Sequence, residues 1–364
     1  MSKLVRRALY PAVSRLCAHA TLVEGRLKGT ETPFRCLFVD NSRFGEYLTG
    51  RMYDTLPDRL EKKRIWIPAL RRRLLSRRDG HDLCVAVLPR FYEALFRGLY
   101  DYRTTETVRQ VIDTSGSWDD VKSRFSKKKR QVANNFEAKS GLGYRLSHEP
   151  GDLEFFYHRM FVPHITRRYG ELATIDSYVE MQRFFRRGVL LFVTKGGQAV
   201  AGALSLVEDG VLRFRRTGVL DGDESHVDGG AQTALYYFQL RYAQEHGLRA
   251  VDTMMSAPFL NDGVYRHKRE WGAVVLPDDE TRTWVYVFGA TPSEKTARFF
   301  EDNPMVVHRD DGMKGMIGIS GDAAPSPAAI NERVRRYEAT GLRGFLVVTR
   351  AEVLAAPQTR PGTH

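Results

Sequence analysis

"VLLFVTKGGQAVAGALSLVEDGVLRFRRTGVL", residues 189–220, decides the fold. Three apolar, strand-like runs at 189–195, 199–208 and 211–220 are separated only by "GGQ" and "DG". Such short glycine turns join hairpins, so the stretch is expected to be an antiparallel meander.

Downstream, "DGDESHVDGGAQTALYYFQLRYAQEHGLRAVDTMM" (221–255) places Gly229 and Gly230 at the start of a helix. Ala231, Leu235, Phe238 and Tyr242 fall on one face of it, and Gly247 closes it before a further strand. A loop, glycines and an exposed helix N-terminus present backbone N–H groups to an anion. Upstream, "VRQVIDTSG" (108–116) reads as a strand and turn, and Ser117 as the N-cap of a basic helix over 118–139 that Gly141 stops. From Asp176, Tyr178, Met181 and Phe185 space the apolar face of another helix.

Residues 1–108 alternate short apolar runs, "FRCLFVD" (34–40) and "LCVAVLP" (83–89), with helix-like segments, as a mixed α/β layer does. Between them, the arginine-dense 59–80 is either a solvated helix or loop over a sheet edge or, with Trp66 beside it, a phosphate-tracking surface. After residue 290 the pattern is strand, helix (capped at Ser326 or its neighbour, ended by Gly341) and strand, with a polar tail from 355 expected to be disordered. Three regions follow: 1–108, 109–290 and a small α/β appendage over 291–364 that covers the second unit or makes a homodimer contact.

At 364 residues, 42% hydrophobic and 27% charged, the chain can bury a sizeable core. Its 56 Lys and Arg against 44 Asp and Glu leave a net charge of +12, which suits a polyanionic partner or serves solubility alone. Cys17, Cys36 and Cys84 lack CxxC spacing, so neither a disulfide framework nor a thiolate metal cluster is expected, and a reducing cytoplasm fits. Arginines and Pro11 interrupt the N-terminal apolar residues, and no run approaches a membrane span, so no integral membrane association is expected. His158 and His164, six apart, make no metal pair on a helix, and neither HExxH nor GxSxG occurs.

Three meander strands, a glycine-opened helix, a further strand and an aromatic, basic, glycine-ended helix resemble the GNAT acyltransferase fold. "HVDGGA" (226–231) is similar to the GNAT pyrophosphate loop, Gly229 and Ala231 matching and His226 standing where Gln or Arg is usual. "NDGVYRHKREWGA" (261–273) is similar to the family's closing motif through Asn261, Tyr265, Lys268, Trp271 and Gly272. The basic helix containing "SRFSKKKRQ" and the closing "VYRHKREWG" resemble the Fem-type group, peptidoglycan-bridge aminoacyltransferases and their relatives. The resemblance covers about residues 20–290. It implies an α/β (α+β) chain of tandem GNAT-like units, the first degenerate, each a mixed, largely antiparallel sheet flanked by helices.

It further implies an acyltransferase with Tyr265 as proton donor to the leaving group and Lys268 as neutraliser of charge on the intermediate or donor phosphate. By position, Asp252 at a strand end and Asp228 beside the glycines are the nearest carboxylates for activating the nucleophile, while His226 serves as a base or contacts phosphate; each also reads as a cap, turn former or surface group. His226, Gly229, Gly230, Ala231, Arg213 and Arg215 are donor-binding candidates, the two arginines sharing a strand face while Arg216 points to the other. Those arginines meet either an anion or acids elsewhere in the chain. Lys127, Lys128, Lys129 and Arg130 are candidate tRNA contacts, while Arg266, His267 and Arg269 read as solvated neighbours. No bound cofactor is expected, the acyl donor being a co-substrate. The charge, the basic helix and the departure at His226 favour aminoacyl-tRNA as donor, and the partial loop match favours acyl-CoA. The acceptor is an amine or hydroxyl on a small molecule or envelope precursor. The alternative outside catalysis is a module binding RNA or an anionic polymer through the same arginines.

Overall fold

The computed structural model describes residues 16–356 except 41, 77–79, 139–140, 171–172, 174, 290 and 322. The strands in chain order are β1 (Cys17–Arg26), β2 (Pro33–Asp40), β3 (Asp58–Trp66), β4 (Leu83–Pro89), β5 (Tyr102–Thr104) and β6 (Val108–Asp113). There follow β7 (Leu142–Ser147), β8 (Gly188–Lys195), β9 (Gln198–Glu208), β10 (Val211–Val219), β11 (Ala250–Ser256) and β12 (Val274–Leu276). The last are β13 (Thr283–Phe288), β14 (Met305–Arg309), β15 (Gly312–Gly318), β16 (Phe345–Val348) and β17 (Val353–Ala356). No helix among the described residues is long and apolar enough to cross a membrane.

Two compact units divide the chain: 1–108 with 256–266 and 277–364, and 109–255 with 267–276. The first carries a sheet of order β17-β16-β15-β14-β5-β13-β4-β2-β1-β3, the second one of order β12-β6-β11-β10-β9-β8-β7. Both are mixed and mostly antiparallel with helices packed on them, so the α/β class holds. The expected separation of 109–290 from an appendage at 291–364 does not. β13 inserts between β4 and β5, and β14 to β17 extend the same sheet. The tail also opens with a hairpin, β14 and β15, where one strand was expected. Pairing with strands some 200 residues earlier leaves no local mark in the sequence.

In the second unit the meander forms as expected, β7 preceding it on the outer side of β8. Asp209 (φ 51°) and Gly210 (φ 70°) make the tight turn between β9 and β10. Ser117 caps the first basic helix in a reciprocal box with Asp120. That helix ends at Ser123, and a second runs Lys127–Ala138, so the single helix expected over 118–139 is broken at Ser126, whose amide donates to Glu270 O. Ser177 caps Tyr178–Phe185 and Ser326 caps Pro327–Tyr337. Of the tail expected to be disordered from 355, Ala355 and Ala356 instead belong to β17, and the rest, like the basic stretch before residue 16, lies outside the described residues.

One face of the second sheet packs on the helix Ala231–Glu245 through Phe214, Leu235, Phe238 and Trp271. The other packs on Phe156, Met160 and Phe161 of a π-helical turn, Phe156–Phe161. Gly218 of β10 permits this approach, since a Cβ there would stand 2.4 Å from Met160 C and 2.6 Å from Phe161 N. Backbone cannot yield as a side-chain tip can, so Gly218→Ala should destabilise the chain by about 1–3 kcal/mol. Gly151→Ala, with nothing within 4 Å, is the control. Urea unfolding with Gly218→Ala at the wild-type midpoint would refute this packing.

Candidate functional site: an opened sheet in the second unit

Strands β10 and β11 run parallel, but pair only over Val211–Arg213 and Ala250–Asp252. Beyond that, β10 continues to Val219 and β11 to Ser256 without partnering each other, so the sheet opens into a cleft at their C-terminal ends. Two local features produce the opening. On β10 the register against β9 slips between Phe214 and Arg216, leaving Arg215 as a bulged extra residue. On β11, Met254 takes a left-handed backbone (φ 66°), which a non-glycine residue holds only when its surroundings impose it.

Asp252 and Lys268 are what impose it. Asp252, 2% exposed, accepts the Met254 N–H on Oδ1 (2.9 Å), while Oδ2 takes Arg109 Nε (3.0 Å) and the Arg109 Nη2 ion pair. Lys268, 3% exposed, donates from Nζ to Met254 O (3.0 Å) and Met255 O (2.9 Å). Charge-assisted bonds of this kind are stronger than neutral ones and fix the kink from both sides. Asp252 is therefore not the free base expected of it, because both carboxylate oxygens are committed to anchoring the strand. Sequence reading missed Arg109, which lies 143 positions from its partner.

The glycines follow the C-terminal end of β10 in the chain. A short helix Glu224–Asp228, capped by Asp223, precedes them and carries the half-buried His226. Gly230 (φ 86°) is the N-cap of Ala231–Glu245, a conformation glycine adopts without strain, and it offers no side-chain cap to the first-turn amides. Beside this N-terminus is a cavity of about 340 Å³ lined by His164, Arg167, Arg168, Glu224, Asp228 and Gln232. His164 is 7% exposed, and burial, with Arg168 second, lowers its pKa, so it is neutral and accepts from the Gln232 amide at 2.9 Å. Sequence reading takes up His164 only with His158, as no metal pair, and passes over Gln232 and over Arg167 and Arg168, which lie with His164 on the helix Val162–Tyr169.

The bulge also corrects the arginine faces. Arg213 lies opposite Leu206 and Arg216 opposite Leu204, so these two share a face, the reverse of strict alternation. Arg216 pairs with Asp176, Arg213 approaches Glu208 (3.5 Å), and the Arg215 guanidinium sits 5.8 Å from the Phe184 ring. In the basic helix, Lys127, Lys128 and Arg130 are exposed. Arg130 also donates to Phe125 O (2.6 Å), in the connection after the preceding helix. Lys129 is 6% exposed, 3.8 Å from Glu270 and over the Trp271 ring, which removes it from the surface contacts expected of it.

The closing motif divides. Asn261 and Tyr265 belong to the first unit and Lys268, Trp271 and Gly272 to the second, so neither unit by itself unites Tyr265 with Lys268 and Asp252. Tyr265 is fully buried, as a core aromatic is. Gly272 (φ 81°) is required where a Cβ would stand 2.8 Å from Arg124 O. His267 is no solvated neighbour: it accepts from Trp271 Nε1 (3.3 Å) and packs on Tyr236, and burial, then Lys129 and Lys268, lower its pKa to about 4.

No family model matches the sequence, and no curated protein matches it. Among solved structures the chain is similar to FemX at 10% identity and a TM-score of 0.41, over 75% of this chain and 85% of that one. It is similar to L-PGS from Bacillus licheniformis at 13% and 0.36, over 76% and 87%. A GCN5-related N-acetyltransferase-like protein from Streptococcus suis gives 12% and 0.30, over 74% and 83%. At these values no residue role transfers, and each rests on this chain's own geometry.

Replacing Lys268 by Met keeps the bulk of the side chain and leaves the Met254 and Met255 carbonyls without this donor. We expect about 2–4 kcal/mol of lost stability, read by denaturant unfolding. An unchanged midpoint would mean that Lys268 does not hold the kink.

Proposed function

We propose that the chain is an acyltransferase that moves an aminoacyl group from aminoacyl-tRNA to an amine or hydroxyl acceptor on a small molecule or envelope precursor. The observation that carries this reading is the opened β10–β11 cleft, with an uncapped helix N-terminus after β10 and, beside it, a cavity lined by Arg167, Arg168, Glu224 and Asp228. In the reaction, the acceptor nitrogen or oxygen bonds to the acyl carbon, the ester bond to the terminal ribose breaks, and the acceptor's proton passes to the ribose hydroxyl. Backbone at the bulge, where the ladder skips Arg215, supplies a fixed dipole for the developing oxyanion. Lys268 and Asp252 act as positioning residues that keep the cleft apart. The first-turn amides from Ala231 onward, with Arg167 and Arg168, meet a terminal phosphate of the donor.

Donor choice follows from charge. Glu224 and Asp228 border the cavity, and carboxylates there disfavour the diphosphate of acyl-CoA more than the single phosphodiester of a tRNA end. Exposed Lys127, Lys128 and Arg130 add a surface for an RNA backbone. Arg167 and Arg168 favour the second reading, acyl-CoA, to the extent that they offset those acids.

The test offers pooled aminoacyl-tRNAs and pooled acyl-CoAs separately to the full chain with a small-molecule extract, and reads mass shifts. A product that disappears on ribonuclease treatment is expected. A product that survives ribonuclease and requires acyl-CoA would overturn the tRNA donor. No product from either, with salt-sensitive RNA binding, would make the chain a binding module.

A further inference from the structure

The first unit contains a cavity of about 1530 Å³ that the proposed transfer does not use. It lies on the sheet face beneath the helix Phe44–Met52, towards the edge strand β3. Cross-strand register builds its floor. His19 of β1 lies opposite both Asp40 of β2 and Arg64 of β3, and in the next row Thr21 lies opposite both Phe38 and Lys62. All six line the cavity. Side chains two apart on a strand share a face and stand roughly 7 Å apart, so Lys62 and Arg64 form a cationic rail along one wall.

The two faces of β3 differ. Glu61 pairs with Lys63 and Arg73 on the face away from the cavity. Among the described residues, neither Lys62 nor Arg64 has an ion pair. Lysines often sit on edge strands to discourage sheet-to-sheet pairing, but that purpose needs no concave surface in front of them. The opposite wall is acidic and hydroxylated, with Asp40, Glu46, Thr49 and Glu106. Asp40 Oδ2 accepts the Gly45 N–H at 2.8 Å. Burial, with Glu106 and Glu46 adding to it, raises that carboxyl to about 6. Near neutral pH such a group both accepts from a hydroxyl and, in its protonated fraction, donates to one.

We propose that this cavity binds a phosphorylated polyol or sugar, its phosphate on Lys62 and Arg64 and its hydroxyls on the acidic wall. Cations without internal partners match a phosphate, and carboxylates at a distance match hydroxyl groups rather than a second anion. A volume above the usual range for small-ligand pockets suits an extended molecule. The arginine-dense segment thereby divides by function: Arg73 serves an internal ion pair, and the cavity face of β3 serves a ligand.

Cys17 lines the same cavity, half-buried and in no disulfide, whereas Cys36 and Cys84 are buried. Alkylation of Cys17 by iodoacetamide, followed by peptide mass mapping, therefore reports occupancy at this place alone. With the full chain and glucose 1-phosphate as minimal probe, we expect saturable slowing of at least about fivefold, with glucose giving none. Lys62→Gln with Arg64→Gln, exposed edge changes, should abolish the protection, read as the ratio of the rates with and without ligand in that variant. Equal protection by glucose, no protection by glucose 1-phosphate, or protection that survives the double substitution would each overturn the proposal. Arg168→Gln, in the second unit, should leave the protection intact, so failure of the transfer reading and failure of this one are separable.

Discussion

Three residue pairs of parallel ladder, and no more, join β10 to β11, and the rest of the second unit is arranged around that limit. A sheet does not part without compensation, since each unpaired backbone group loses a hydrogen bond. Here the compensation is specific. The bulge at Arg215 takes β10 out of register, and Asp252 and Lys268 supply an acceptor and a donor to the backbone around Met254. Arg109 neutralises Asp252, so the buried carboxylate does not stand as a lone charge. The kink is over-determined by its neighbours, the condition under which strained backbone persists at functional sites.

That constraint changes the chemistry assigned to particular side chains. In the sequence, strand-end position offers Asp252 as a base for the nucleophile, and the family resemblance offers Lys268 as a neutraliser of charge on the intermediate or donor phosphate. Their bonds make them supports of the cleft's shape. On the proposed reading an entering ligand meets the first turn of Ala231–Glu245, which has no side-chain cap, and the cavity lined by His164, Gln232, Arg167 and Arg168. Electrostatic preorganisation of this kind acts without reorganising during a reaction, which is what the proposed acyl transfer would draw from a rigid opening.

Local patterns carried much of the fold. The meander, the glycine-opened helix and the caps at Ser117, Ser177 and Ser326 follow from period, turn residues and hydroxyl spacing within a few positions. What escaped was set by distance or by register. The tail's membership in the first sheet depends on pairing across the chain. The bulge reverses the expected relation of Arg213, Arg215 and Arg216, because one extra residue changes every face after it. Lys129 and His267 belong to charged runs that read as solvated, yet a helix turns every third or fourth residue inward, where Trp271 receives both. β3 was covered by the same difficulty: its charges read as helix or loop, and their opposite faces appear only once β1 pairs beside them.

Backbone hydrogen–deuterium exchange, with and without a non-hydrolysable aminoacyl-adenosine amide, tests most directly whether the divergence of β10 and β11 forms the donor site. Ligand should slow exchange at the β10 amides from Phe214 to Thr217, the β11 amides from Thr253 to Met255, and the first turn after Gly230. Saturable binding with unchanged exchange in both strands would contradict the account.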